Sequence, residues 1–109
     1  MDLGLADKVA LVTGGSRGIG RSIALALAGE GCKVAICARC EEPLARALQE
    51  LQASGVEAIA AVADVRSKSE IEAVVARCVA ELGGVDILIN NVGGSVGGAS
   101  LLDSTDEDW

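Results

Sequence analysis

Histidine, phenylalanine and tyrosine are absent from these 109 residues, and tryptophan and proline occur once each. The lack of histidine removes the usual acid–base group near neutral pH and the commonest metal-binding ring. The lack of tyrosine removes the phenolic proton donor. With so few aromatics the core must be aliphatic, and hydrophobic residues, at 50% of the chain, suffice for one. Basic blocks are missing too: 9 Lys and Arg stand against 16 Asp and Glu, a net charge of −7. That argues against nucleic acid and against an anionic membrane as partners. Part of the acidity collects in Asp103, Asp106, Glu107 and Asp108 and is not read as a binding surface. No apolar run nears the ~20 residues of a membrane span. The opening MDLGLADK has neither the basic nor the apolar region of a signal peptide. A cytoplasmic location follows, with Cys32, Cys37, Cys40 and Cys78 reduced. Cys37 and Cys40 form a C-x-x-C, but no second pair accompanies it and Cys37 falls in an expected strand, so no metal or dithiol chemistry is assigned.

What is present is an alternation of short apolar runs and amphipathic stretches. Strands are expected at about 8–12, 33–38, 57–63 and 85–89, and helices at about 17–30, 41–53 and 67–82. Gly31 and Gly55 stand where helix stops belong. Pro43 falls in the first turn of the second helix, where it is tolerated. Ser67-Lys68-Ser69-Glu70 is a capping box opening the third helix. Successive β-α-β crossovers imply an α/β, Rossmann-like, doubly wound parallel sheet of order 3-2-1-4, one domain in which the first and fourth strands are neighbours. A loop rich in Gly, Asn and Ser spans 90–100, and Ser104-Thr105-Asp106-Glu107 is a second capping box. A helix beginning there has no room to propagate before Trp109. The fourth strand would also be a bare apolar edge. The chain therefore reads as the N-terminal part, truncated after the fourth strand, of a longer dinucleotide-binding domain.

The organising stretch is KVALVTGGSRGIG at 8–20. An apolar strand runs through Thr13 into Gly14, Gly18 and Gly20, and a helix pattern follows. Strand, glycine turn and helix N-terminus together make an anion site suited to a diphosphate. The spacing Gly14-x-x-x-Gly18-x-Gly20 is neither the common G-x-G-x-x-G fingerprint nor a nucleoside-triphosphatase loop. TGGSRGIG resembles the cofactor loop of the short-chain dehydrogenase/reductase family. Asp64-Val65 after the third strand, Asn90-Asn91-Val92-Gly93 after the fourth, and 104–109 at the start of a fourth helix resemble further family segments in the same order. Bacterial 3-oxoacyl-(acyl-carrier-protein) reductases are the members most similar in pattern. The resemblance implies cofactor contacts at Gly14, Ser16, Arg17, Gly18, Ile19 and Gly20 in the loop. It implies others at Asp64 and Val65 beside the adenine, and at Asn90, Asn91 and Gly93 along the site. Val92 stands where the family usually has Ala, which adds bulk on the nicotinamide side.

Cofactor choice is argued from charge. An NAD enzyme holds the ribose 2′-hydroxyl with an acid at the end of the second strand. Ile36-Cys37-Ala38-Arg39-Cys40 has none there, and Arg39 with Arg17 suits a 2′-phosphate, so NADP(H) is expected over NAD(H). Glu41 and Glu42 lie close enough in sequence to neutralise Arg39. The resemblance also implies a small carbonyl or alcohol substrate and a homo-oligomeric parent. Its catalytic Asn, Ser, Tyr and Lys have no counterpart here, since Lys8, Lys33 and Lys68 all precede the expected position and Ser95 and Ser100 lack a base partner. No catalytic residue is assigned, and the chain is expected to bind cofactor weakly without turning over. Two alternatives stand beside an enzyme's cofactor half: a non-catalytic dinucleotide sensor or scaffold, and a non-functional gene fragment.

Overall fold

A computed structural model describes residues 5–14 and 18–91. The elements run β1 (Val9–Thr13), α1 (Gly18–Gly29), β2 (Lys33–Ala38), α2 (Glu41–Ala53), β3 (Ala58–Val62), α3 (Lys68–Leu82) and β4 (Ile87–Asn90). The strands form one parallel sheet in the order β3-β2-β1-β4, as the crossover pattern predicts. The second capping box, at 104–107, lies outside the described residues.

Strand periodicity sorts the core into two layers. Val12, Val34, Ile36 and Ala38 turn to one face and meet Ala24 and Ala28 of α1 and Leu44, Ala47 and Leu51 of α2. Val9, Leu11, Ala35 and Cys37 turn to the other and meet Val74, Cys78 and Leu82 of α3. Helices cover both faces, so β1 and β2 are buried along their length. α1 buries only Gly20, Ala24 and Ala28, a stripe of small side chains four residues apart that brings its axis close to the sheet. It ends as a Schellman motif: Gly31 takes φ +89°, its N–H donates to the Ala28 carbonyl (3.0 Å), and Cys32 N–H donates to Leu27 (3.1 Å).

Two boundaries lie further along than hydropathy suggests. β1 and β4 end on Thr13 and Asn90, polar residues paired with each other in the ladder. Asn90, expected in a loop, is thus the last residue of a strand, and it is buried. At the opposite end β4 starts at Ile87, because the Asp86 carboxylate accepts the Val9 N–H at 2.8 Å where a further strand rung was expected. The capping box at α3 is half made. The Ser67 hydroxyl accepts Glu70 N–H, but the Glu70 carboxylate turns back to the Asp64 N–H (3.0 Å) and not to Ser67.

β3 is an edge of the sheet, and its outer side is guarded. Glu57 O accepts from Val34 and Ala63 N–H donates to Ala38, so the odd-numbered residues face β2 and the backbone groups of Ala58, Ala60 and Val62 point outward. The Arg77 guanidinium reaches from α3 to the outward Ala60 carbonyl at 2.6 Å while Glu81 holds its Nε at 2.5 Å. A charge set on an edge strand discourages pairing with another chain, and Val62 beside it is 56% exposed. Arg77→Ala is expected to raise the apparent mass in light-scattering chromatography at micromolar concentration with the circular dichroism unchanged. An unaltered mass would remove this role.

Candidate dinucleotide site

Every segment singled out for cofactor contact that falls within the described residues ends at the carboxyl edge of the sheet. Ser16, Arg17, Val92, Gly93, Ser95 and Ser100 lie outside those residues. The centre is the junction of β1 with β4. Thr13, fully buried, donates its hydroxyl to Asn90 Oδ1 (3.1 Å) and accepts the Asn91 N–H (3.0 Å). Asn91 then closes on the glycine turn, its Nδ2 donating to the Gly14 carbonyl at 3.4 Å.

This closure shows which glycines are required and by what. Gly14 has φ +66°, and a Cβ there would sit 2.5 Å from the Asn91 carbonyl oxygen. A Cβ on Gly20 would overlap the Gly14 carbonyl and stand 2.5 Å from Asn91 Nδ2. These two are glycine because loop, helix and β4 pack against one another there. Gly18 differs: its φ is +53° and a Cβ would meet nothing within 4 Å among the described residues. Ile19 next to it is 67% exposed, a large apolar side chain at the mouth of the site.

The electrostatics favour an anion at this turn. α2 and α3 carry Glu41, Glu42 and Glu70 in their first turns, whereas α1 carries no acidic residue in its own. The positive end of its dipole is therefore not neutralised from within the helix. The Gly14 N–H is bonded to the Cys37 carbonyl (2.8 Å), which ties the turn to the tip of β2.

Arg39 follows that tip. It has no ion-pair partner among the described residues, so Glu41 and Glu42 do not neutralise it by contact. The Ala63 N–H to Ala38 carbonyl bond (2.9 Å) aligns the ends of β2 and β3. Arg39 is near enough to Asp64 to help lower its carboxyl pKa, though the Arg66 side chain and then the Arg66 N–H are the larger causes. Val65 turns inward and packs against the α3 layer.

Cys37 is buried, and burial pushes its thiol up to about 11. Cys40 is exposed at the N-cap of α2. No cluster able to hold a metal ion occurs among the described residues, and no described helix is long and apolar enough to cross a membrane. A groove of about 710 Å³ runs between α1 and α2, but its Arg21 is paired with Glu50 through two contacts, Nε to Oε1 at 2.7 Å and Nη2 to Oε2. Sequence reasoning passed over two residues. Thr13 had a usable signal, a hydroxyl closing an apolar strand. Arg66 had a fainter one, its spacing of two from Asp64.

A four-stranded parallel sheet of order 3-2-1-4 with helices on both faces, Gly14 at the β1/β4 junction and Arg39 and Asp64 beyond the adjoining strand ends make a Rossmann-like α/β fold. Residues 8–109 match the family model described as short chain dehydrogenase, and the chain belongs to that family. It is 51% identical over 103 residues to a protein of Streptomyces coelicolor provisionally named a ketoacyl reductase, covering 94% of this chain and 39% of that one. It is 46% identical over 87 residues to the 3-oxoacyl-[acyl-carrier-protein] reductase FabG of Staphylococcus aureus, covering 79% of this chain and 35% of that one. A crystal structure of actinorhodin polyketide ketoreductase with NADPH superposes with a TM-score of 0.77 at 48% identity, over 100% of this chain and 41% of that one. The chain thus spans well under half the length of these relatives, which are of the kind the glycine-loop pattern suggested.

The Thr13 hydroxyl is the testable joint of this site. Thr13→Val keeps the shape but removes the donor to Asn90 and the acceptor for Asn91 N–H. A loss of about 1–3 kcal/mol in denaturant unfolding is expected, with Thr13→Ser close to the parent. Equal stability of the valine and parent proteins would show that the clasp is idle.

Proposed function

We propose that these residues form the cofactor half of an NADP(H)-dependent short-chain oxidoreductase, the whole protein reducing a carbonyl or oxidising an alcohol. The observation that carries the cofactor choice is Arg39: a guanidinium with no ion-pair partner among the described residues, at the tip of β2, where NAD enzymes place a carboxylate. A 2′-phosphate supplies the missing anion through charge-assisted bonds. Arg17 in the glycine loop is assigned to the same phosphate.

The remaining roles are those the family resemblance implies. Gly18, where a side chain would meet no described residue, and the acid-free start of α1 would receive the pyrophosphate. Asp64 would accept from the adenine, Ile19 would lie along the cofactor, and Asn90, Asn91 and Gly93 would line the nicotinamide side. A bound nicotinamide would give the hydride in carbonyl reduction or take it in alcohol oxidation. This chain's residues would hold and orient it, and with no tyrosine or histidine among the 109 they do not supply a proton donor of the family type. The names of the relatives point to ketoacyl groups as the substrate class. A cytoplasmic homo-oligomer is the setting this reading assigns to the whole protein.

Arg39→Ala is expected to raise the NADPH dissociation constant by about tenfold or more, the weight of one charge-assisted hydrogen bond, and to leave NADH binding unchanged. Fluorescence titration with both nucleotides makes the comparison. Equal losses for the two, or none for NADPH, would overturn the NADP(H) assignment.

A further inference from the structure

Asp64 is held more tightly than a loop carboxylate at a strand end needs to be. Its N–H donates to the Glu70 carboxylate (3.0 Å), and its carbonyl accepts from Ser67 N–H (2.9 Å). Its side chain is gripped by one residue. Arg66 gives its backbone N–H (2.9 Å) and its Nε (3.2 Å) to Oδ1, and its Nη2 (3.2 Å) to Oδ2. This is a side-on, two-point fork with a turn bond added. A carboxylate has about four acceptor positions, two on each oxygen. Arg66 fills both on Oδ1 and one on Oδ2, so one position on Oδ2 remains. The Asp64 side chain is only 31% exposed, whereas that of Arg66 is 70% exposed. Nothing about the stability of so exposed a pair requires a fork. Its consequence is geometric: the carboxylate plane cannot turn, and it presents one acceptor, next to the strand tip that carries Arg39.

We propose that Arg66 is a positioning residue for base recognition, fixing Asp64 so that it offers a single acceptor to one exocyclic amino group and thereby selects 6-amino over 6-oxo purines. The inference rests on the dinucleotide reading above and adds to it the residue that sets base selectivity. A 6-oxo purine brings an oxygen to the position where the amino group would donate, and a carboxylate held still cannot turn away from it. A carboxylate free to rotate can.

The test uses the full chain, titrated with NADPH and with its hypoxanthine counterpart, in which an oxo group replaces the adenine amino group. The parent is expected to favour NADPH. Arg66→Ala and Arg66→Gln should each reduce that preference by about tenfold, the weight of one hydrogen bond to a charged group. Arg66→Lys, which keeps the charge but not the fork, should also reduce it. In an Asp64→Ala background Arg66→Ala should leave the ratio unchanged, because Arg66 acts through Asp64. Circular dichroism confirms that each variant is folded. A preference that survives Arg66→Ala, or an Arg66 effect that persists without Asp64, overturns the inference while the cofactor reading stands. A folded parent that fails to bind NADPH overturns the reading, and the inference with it.

Discussion

One buried hydroxyl joins the two strands between which the site lies. Thr13 and Asn91 are far apart in sequence, and the Thr13 Oγ1 to Asn91 N–H bond brings them within 3.0 Å at the carboxyl edge of the sheet. From that point the local structure follows. Asn91 is set against Gly14, its amide reaches the Gly14 carbonyl, and the same amide fills the space where a side chain on Gly20 would stand. The start of α1 is thereby pressed onto the tips of β1 and β4. The Thr13 hydroxyl bonds to Asn90 Oδ1 and to the Asn91 N–H, and Asn91 Nδ2 bonds to the Gly14 carbonyl, which offsets the cost of burying these groups.

This changes the physical meaning of the glycine pattern. In the sequence Gly14, Gly18 and Gly20 stand together as one diphosphate-binding turn. In the structure Gly14 faces Asn91, Gly20 faces the Gly14 carbonyl and then Asn91, and a Gly18 side chain would meet nothing within 4 Å among the described residues. The Asn91 contacts fix Gly14 and Gly20, and such preorganisation lowers what a ligand must spend on ordering these two positions.

Most of the fold was legible because its signals are local. β2 and α2 have the bounds that hydropathy and Gly55 predict, since an apolar run and a left-handed stop need no distant partner to be recognised. The misreadings occur where a polar residue takes a structural place through a long-range bond. Thr13 and Asn90 extend strands whose apolar runs have already ended, and Asp86 replaces a rung with its side chain. Glu70, read as the return half of a capping box, instead meets the Asp64 N–H beyond the end of β3. The candidate site was legible as a list of segments. The structure adds their convergence: Gly14 bonded to Cys37, Asn91 to Thr13, and Arg39 in the field of Asp64. Arg66 escaped because an arginine in an exposed connection has no pattern of its own until the carboxylate it grips is seen.

The arrangement of Gly14, Gly20 and Asn91 depends on the β1–β4 clasp being formed before any cofactor arrives. Amide hydrogen exchange of the chain without nucleotide, followed residue by residue by NMR, reads this directly. The Asn91 N–H, bonded to a buried hydroxyl, is expected to exchange as slowly as the amides in the middle of β1, orders of magnitude below the rate of exposed amides. If Asn91 exchanges as an exposed amide while the β1 amides stay protected, the clasp is not preformed, and the reading of Gly14 and Gly20 as residues fixed by Asn91 is wrong.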